Sequence, residues 1–132
     1  MSSTGITLDN MGNVYVADRQ NNRIQVFDSN GAFLKELKNS EQVVQLPSVT
    51  IDKKQNLYAI DYHFLDTLVN GSTILQYNKA DTVIYQFGGL GSNKRTASWY
   101  HDIAVDKEGS IYVGDIRRMK VQKFRPKSID KK

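Results

Sequence analysis

The chain has 132 residues, of which 39% are hydrophobic and 24% are charged, and its formal net charge is +4. These proportions are typical of one globular domain, and no apolar run approaches the roughly 20 residues that cross a bilayer, so we expect no membrane partner. The sequence contains no cysteine, which excludes disulfides and thiolate metal sites.

One sequence pattern occurs three times. Short runs rich in Val, Ile and Tyr alternate with Gly, Asn and Asp, which favour tight hairpins, so each copy predicts two antiparallel strands. In chain order the copies are GITLDNMGNVYVAD at residues 5–18, SVTIDKKQNLYAID at 48–61 and DIAVDKEGSIYVGD at 102–115. A third predicted strand follows each copy, in RIQVF, TILQY and KVQKF, with Gln25, Gln76 and Gln122 aligned.

The segments AFLKEL at residues 32–37 and TVIYQF at residues 82–87 are predicted to add a fourth strand to the first two copies. Four strands in roughly 40 to 50 residues indicate a β-propeller blade. We therefore predict an all-β fold of three four-stranded blades, which is half of a six-bladed ring. The predicted blades cover residues 4–40, 46–89 and 99–127, and a basic tail covers residues 128–132.

An aspartate ends the second predicted strand of each copy, at Asp18, Asp61 and Asp115. Catalysis and loop stabilisation are the two candidate roles. We favour the second, in which the carboxylate accepts backbone hydrogen bonds or, in the first copy, pairs with Arg23. The aromatic residues alternate with small or polar ones, which indicates packing between blades.

The first copy resembles a known repeat. GNVYVADRQNNRIQVFDSNGAFL, at residues 12–34, is similar to the NHL repeat in its Gly-Asn-hydrophobic-Tyr-Val-Ala-Asp run and in the Asn-Arg-Ile-Gln-Val-Phe that follows. The third copy shares the resemblance, and the second is diluted by the insertion HFLDTLVNG at residues 63–71. The resemblance implies an NHL-type β-propeller.

A narrower resemblance lies within it. VADRQNNRIQVF and the later YHDIAVDKEGSIYVGD are similar, in order and spacing, to the last three blades of the peptidylamidoglycolate lyases. Those six-bladed propellers cleave peptidyl-α-hydroxyglycine into a peptide amide and glyoxylate, with metal assistance. The resemblance implies that His101 is a zinc ligand, that Asp102 is a calcium ligand and that Arg19 is an active-site residue holding the substrate carboxylate. Zinc and calcium are the implied cofactors, and a peptide is the implied substrate.

The chain departs from this lyase pattern at two positions. Thr4 stands where the lyases have another zinc histidine, and Tyr100 stands where they have proline. Catalytic zinc usually takes three protein ligands, and the remaining histidine, His63, is predicted to lie in the inserted loop. We therefore expect the isolated chain not to turn over substrate. The structural alternative for His101 is a hydrogen-bonded histidine that lines a polar channel.

Three blades leave two faces that a neighbour should cover. We expect the missing half-propeller to be a second copy of this chain or an adjacent chain, unless the gene is truncated. The alternative function is a non-catalytic NHL module that binds protein or RNA. Its basic residues would be Arg117, Arg118, Lys120 and Lys123, which suit a phosphate backbone. A solvated basic terminus is the simpler interpretation of the same charges. The sequence does not indicate the cellular compartment.

Overall fold

The computed structural model describes residues 3–18, 23–38, 48–63, 70–91, 98–116 and 119–125. These residues form twelve strands in three antiparallel sheets, which we call blades 1, 2 and 3. The predicted all-β propeller fold is confirmed. Among the described residues no helix is long and apolar enough to cross a membrane.

Consecutive strands pair in each blade, as the hairpin signals predicted. Blade 1 contains β1 (Ser3–Leu8), β2 (Val14–Asp18), β3 (Arg23–Phe27) and β4 (Phe33–Lys38). Blade 2 contains β5 (Ser48–Ile51), β6 (Leu57–His63), β7 (Asn70–Tyr77) and β8 (Val83–Phe87), and β9 (Leu90–Gly91) pairs with β7. Blade 3 contains β10 (Tyr100–Val105), β11 (Ile111–Asp115) and β12 (Lys120–Phe124).

The fourth strands of blades 1 and 2 lie where the sequence predicted them, at β4 and β8. The described part of blade 3 has three strands. His63 corrects one expectation, because its backbone ends strand β6 and pairs with Gly71 instead of lying in the inserted loop. Residues 64–69 of that insertion lie outside the described residues.

The strand register also corrects the alignment of the third strands. Gln25 lies opposite Val16 and Gln122 lies opposite Val113, but the equivalent position of blade 2, opposite Ala59, is occupied by Leu75. Gln76 is therefore one position out of register and projects from the other face of its blade. Because side chains alternate along a strand, this places Leu75 between blades 1 and 2.

The first hairpin turn of each blade depends on an aspartate just after the innermost strand. One carboxylate oxygen accepts backbone N–H groups within the turn, as Asp52 does from Asn56 at 2.8 Å. The other oxygen accepts the hydroxyl of the tyrosine six residues later. These pairs are Asp9 with Tyr15 at 3.5 Å, Asp52 with Tyr58 at 3.1 Å and Asp106 with Tyr112 at 3.0 Å.

Blade 2 lies between the other two, and each of its faces buries one half of the core. Its face towards blade 1 contributes Leu57, Ala59, Leu75 and Tyr77, which pack with Ala17, Ile24, Val26 and Leu37. Its face towards blade 3 contributes Tyr58, Ile60 and Ile74, which pack with Tyr100, Ile103, Ile111 and Val113. The innermost strand β5 lies beside both β1 and β10. The starts of these three strands therefore share one end of the blade stack.

Candidate functional site

A β-bulge at the start of the innermost strand presents His101. Tyr100 lies opposite Asp115 and Asp102 lies opposite Gly114, so His101 is the extra residue on its strand. Blade 1 has the same bulge, because Ser3 and Gly5 lie opposite Asp18 and Ala17, with Thr4 as the extra residue. A bulge releases one residue from regular pairing and can redirect its side chain. Thr4 and His101 therefore hold equivalent backbone positions in blades 1 and 3.

The backbone before the bulge is held by buried polar groups. The Trp99 amide donates to Asp115 Oδ1 at 3.1 Å, and the Tyr100 amide donates to Ser72 Oγ of blade 2 at 2.9 Å. The Tyr100 side chain is buried, and its hydroxyl donates to Gln122 Oε1 at 2.6 Å. His101, the next residue along the strand, is exposed. The hydrogen bonds of Trp99 and Tyr100 therefore fix the position of the bulge and leave the imidazole accessible.

Asp102 joins two innermost strands. Its Oδ1 atom accepts the hydroxyl of buried Ser48, on β5, at 2.5 Å and the amide of Ile103 at 2.9 Å. The residue itself is exposed. Two donors already bind one oxygen of this carboxylate, which orients the side chain.

Two of the aspartates that were predicted to end the second strands have the structural role that the sequence predicted. Asp18 pairs with Arg23, with 3.0 Å between Oδ2 and Nε, and Arg23 also contacts Glu36 at 3.3 Å. Asp115 accepts the Trp99 amide. Asp61 is buried within β6, which continues to His63 instead of ending at the aspartate. Arg19, the substrate residue implied by the resemblance, follows Asp18 directly but lies outside the described residues.

The described metal donors do not form a complete zinc site. Within the described residues no group of three or more His, Cys, Asp or Glu side chains is placed to hold a metal ion. His101 offers one exposed imidazole, whereas catalytic zinc takes about three protein ligands. Calcium takes about six to eight oxygens, of which Asp102 would supply two at most. The described residues therefore fit one part of a metal site.

The basic residues at the end of the chain do not share one surface in the described region. Lys120 and Lys123 are both exposed, but they project from opposite faces of β12 because they are three positions apart on a strand whose side chains alternate. The Lys123 amine lies 5.2 Å from the centre of the Tyr112 ring. Arg117 and Arg118 lie outside the described residues.

A cleft that the sequence did not indicate lies between blades 1 and 2, at the end opposite His101. It has a volume of about 270 Å³, and Lys35 and Asp81 are among its lining residues. These two side chains pair across the blades at 2.9 Å, and this hydrogen bond raises the pKa of Lys35. The signal in the sequence would have been the opposite charges of Lys35 and Asp81 on the outer hairpins of blades 1 and 2. These hairpins can be recognised as neighbours only when the stacking of the blades is known.

Comparisons with known proteins agree with the repeat and the fold. The NHL repeat family model matches residues 4–27. The chain is 32% identical over 123 residues to peptidyl-glycine alpha-amidating monooxygenase B of Xenopus laevis, a match that covers 90% of the chain and 14% of that protein. Monooxygenase A of the same organism is 31% identical over 119 residues, covering 87% of the chain and 12% of that protein. The chain thus spans about one seventh of these relatives.

Solved structures show the same architecture at low sequence identity. A catalytically inactive virginiamycin B lyase from Staphylococcus aureus has a TM-score of 0.64 at 13% identity, covering 96% of this chain and 42% of that one. The WD40 β-propeller domain of Doa1 has a TM-score of 0.59 at 14% identity, covering 91% and 34%. At such identities the likeness supports the propeller fold alone.

Proposed function

Because the chain is an NHL-repeat β-propeller homologous to the peptidyl-glycine alpha-amidating monooxygenases, we propose that it forms part of a lyase that acts on peptidyl-α-hydroxyglycine. The observation that carries the proposal is the extent of this homology. A match over 90% of the chain necessarily spans Arg19, His101 and Asp102. These are the three positions to which the lyase resemblance assigns chemistry.

In this proposal each residue has one task. Arg19 binds the carboxylate of the hydroxyglycine in a charge-assisted pair. His101 is one zinc ligand on the bulge, and Asp102 holds the calcium position while its bond to Ser48 ties β10 to β5. Bound zinc would lower the pKa of a coordinated hydroxyl group. Because His101 is the one zinc ligand that the resemblance assigns in this chain, the chain alone binds substrate without cleaving it.

Peptide binding tests the proposal without requiring turnover. The probes are a short peptide that ends in α-hydroxyglycine and the same peptide that ends in the amide, compared by calorimetry. We expect the first to bind more tightly, and Arg19→Ala to weaken it by about tenfold or more, as expected for loss of a charge-assisted contact. Arg125→Ala is the matched control, since Arg125 is exposed after β12. Equal affinity for the two peptides would contradict the proposal.

Glyoxylate release tests the chemistry separately. We expect no release by the chain alone, and release that persists in a chelator would contradict metal assistance. Thr4→His places a second imidazole on the bulge equivalent to that of His101. We expect this variant to bind zinc more tightly than the original chain. Thr7→His, on the regular part of β1, is the control and should leave zinc affinity unchanged.

A further inference from the structure

Blade 1 and blade 3 each have a face turned away from blade 2. The leading face of blade 1 carries Ile6, Leu8, Val14 and Val16, and Ile6 and Leu8 are 68% and 60% exposed. The trailing face of blade 3 carries Ala104, Tyr112, Gly114 and Val121, and Val121 is 68% exposed. Both faces present apolar side chains from several adjacent strands. Exposed apolar surface of this kind marks an interaction site.

The same positions are buried wherever two blades meet. Val121 is equivalent to Ile24 and Ile74, because each lies opposite the residue that precedes the repeated aspartate of its blade, Asp115, Asp18 or Asp61. Ile24 and Ile74 are both 0% exposed. Ile6 is equivalent to Val49 and Ile103, which are 4% and 6% exposed. Ile24 packs in one cluster with Val49, and Ile74 packs in one cluster with Ile103. Each internal interface therefore joins a Val121-type residue to an Ile6-type residue.

We propose that the trailing face of one copy of this chain binds the leading face of a second copy, and that two copies close a six-bladed ring. Each internal interface joins the trailing face of one blade to the leading face of the next. The two uncovered faces are one of each type, so each has the surface that the other would bind. Interfaces that join two different surface patches build either a closed ring or an open-ended filament. Two copies with the three described blades each would give six, which lies within the about four to eight blades of typical propellers. The inference depends on the fold alone and not on the proposed lyase function.

One residue on the trailing face departs from the internal pattern. Lys123 stands where blade 1 has Val26 and blade 2 has Gln76. Its amine lies 5.2 Å from the Tyr112 ring centre. A lysine can bury its aliphatic stem while the charged group stays at the rim, so this position is compatible with the contact.

The test is the mass of the 132-residue chain in solution, by light scattering. We expect twice the 15.0 kDa of one chain. Val121→Asp and Ile6→Lys should each give monomers, with the dissociation constant raised at least tenfold. An equimolar mixture of the two variants should form dimers again, because each contact then joins Asp to Lys or the two original residues. Both replaced side chains are exposed, so circular dichroism should show unchanged strand content.

Ile84→Lys is the matched control. Ile84 is 44% exposed on β8, the outer strand of blade 2, and it belongs to neither open face. This variant should remain dimeric. A monomeric original chain, open-ended polymers, variants that stay dimeric or a mixture that stays monomeric would each overturn the proposal.

Discussion

Replacing Tyr58 with phenylalanine tests whether the aspartate–tyrosine pair stabilises the hairpin turns. Tyr58 is buried, and its hydroxyl donates to Asp52 Oδ2 at 3.1 Å. The change removes one hydroxyl and keeps the ring that packs between blades 2 and 3. Any loss of stability can therefore be assigned to the hydrogen bond.

The structure sets the size of the effect. A hydrogen bond to a charged group contributes about 1.5–3 kcal/mol. Asp52 keeps two other donors, the Asn56 amide at 2.8 Å and Asn56 Nδ2 at 3.0 Å, so its carboxylate is not left without partners. We therefore expect the lower end, about 1.5 kcal/mol. Tyr15→Phe is the matched control, because its hydroxyl is half-buried and 3.5 Å from Asp9. It should lose less than about 0.5 kcal/mol.

Urea unfolding followed by circular dichroism measures both losses. For a denaturant slope of about 1–3 kcal/mol per molar, Tyr58→Phe should lower the midpoint by about 0.5–1.5 M with the slope unchanged. A loss no larger than that of Tyr15→Phe would refute the reasoning. It would mean that the turns are stabilised by the backbone hydrogen bonds of the aspartates and that the tyrosines contribute packing alone.

Two further predictions concern blades 2 and 3. Gly89→Ala should lower the free energy of unfolding by about 1–3 kcal/mol, because the added Cβ would lie 2.3 Å from Ser98 Cβ. Gly114→Ala is the control and should change it by less than about 0.5 kcal/mol, because nothing lies within 4 Å of its added Cβ. Equal losses of stability in thermal unfolding would contradict this prediction. Burial, and then the charge of Asp52, raises the pKa of Tyr58 above its ordinary value of about 10. The folded state therefore holds this proton more tightly, and stability should fall as pH rises above about 10, by up to about 1.4 kcal/mol per unit. Tyr58→Phe should reduce that slope in urea titrations between pH 9 and 11.

The sequence predicted the fold well because blade structure is repeated. Alternation of apolar residues, turn residues at fixed offsets and three similar copies all indicated the same strands. The fourth strand AFLKEL, which alone also fits a helical turn, forms β4 because Leu37 is needed to cover Ile24 on β3. Tertiary packing thus decided what local propensity left open.

The errors in detail arose where one copy differs from the others. The insertion in blade 2 lengthens β6 and β7, and His63 becomes the last residue of a strand. Matching Gln76 to Gln25 relied on residue identity, whereas the register follows the side-chain alternation that buries Leu75. A one-residue slip transfers a side chain to the opposite face, so alternation is the safer guide.

The candidate site could not be read from the repeat in the same way. The repeat encodes what the blades share, and blades 1 and 3 share the bulge at the start of the innermost strand, at Thr4 and at His101. A functional site instead depends on residues that differ between the copies at the same backbone position. His101 is such a residue, because the fold does not specify which side chain occupies the bulge. In a propeller of this type, differences between equivalent bulges are therefore the place to search for chemistry, while agreement between copies identifies the contacts that stabilise the blades.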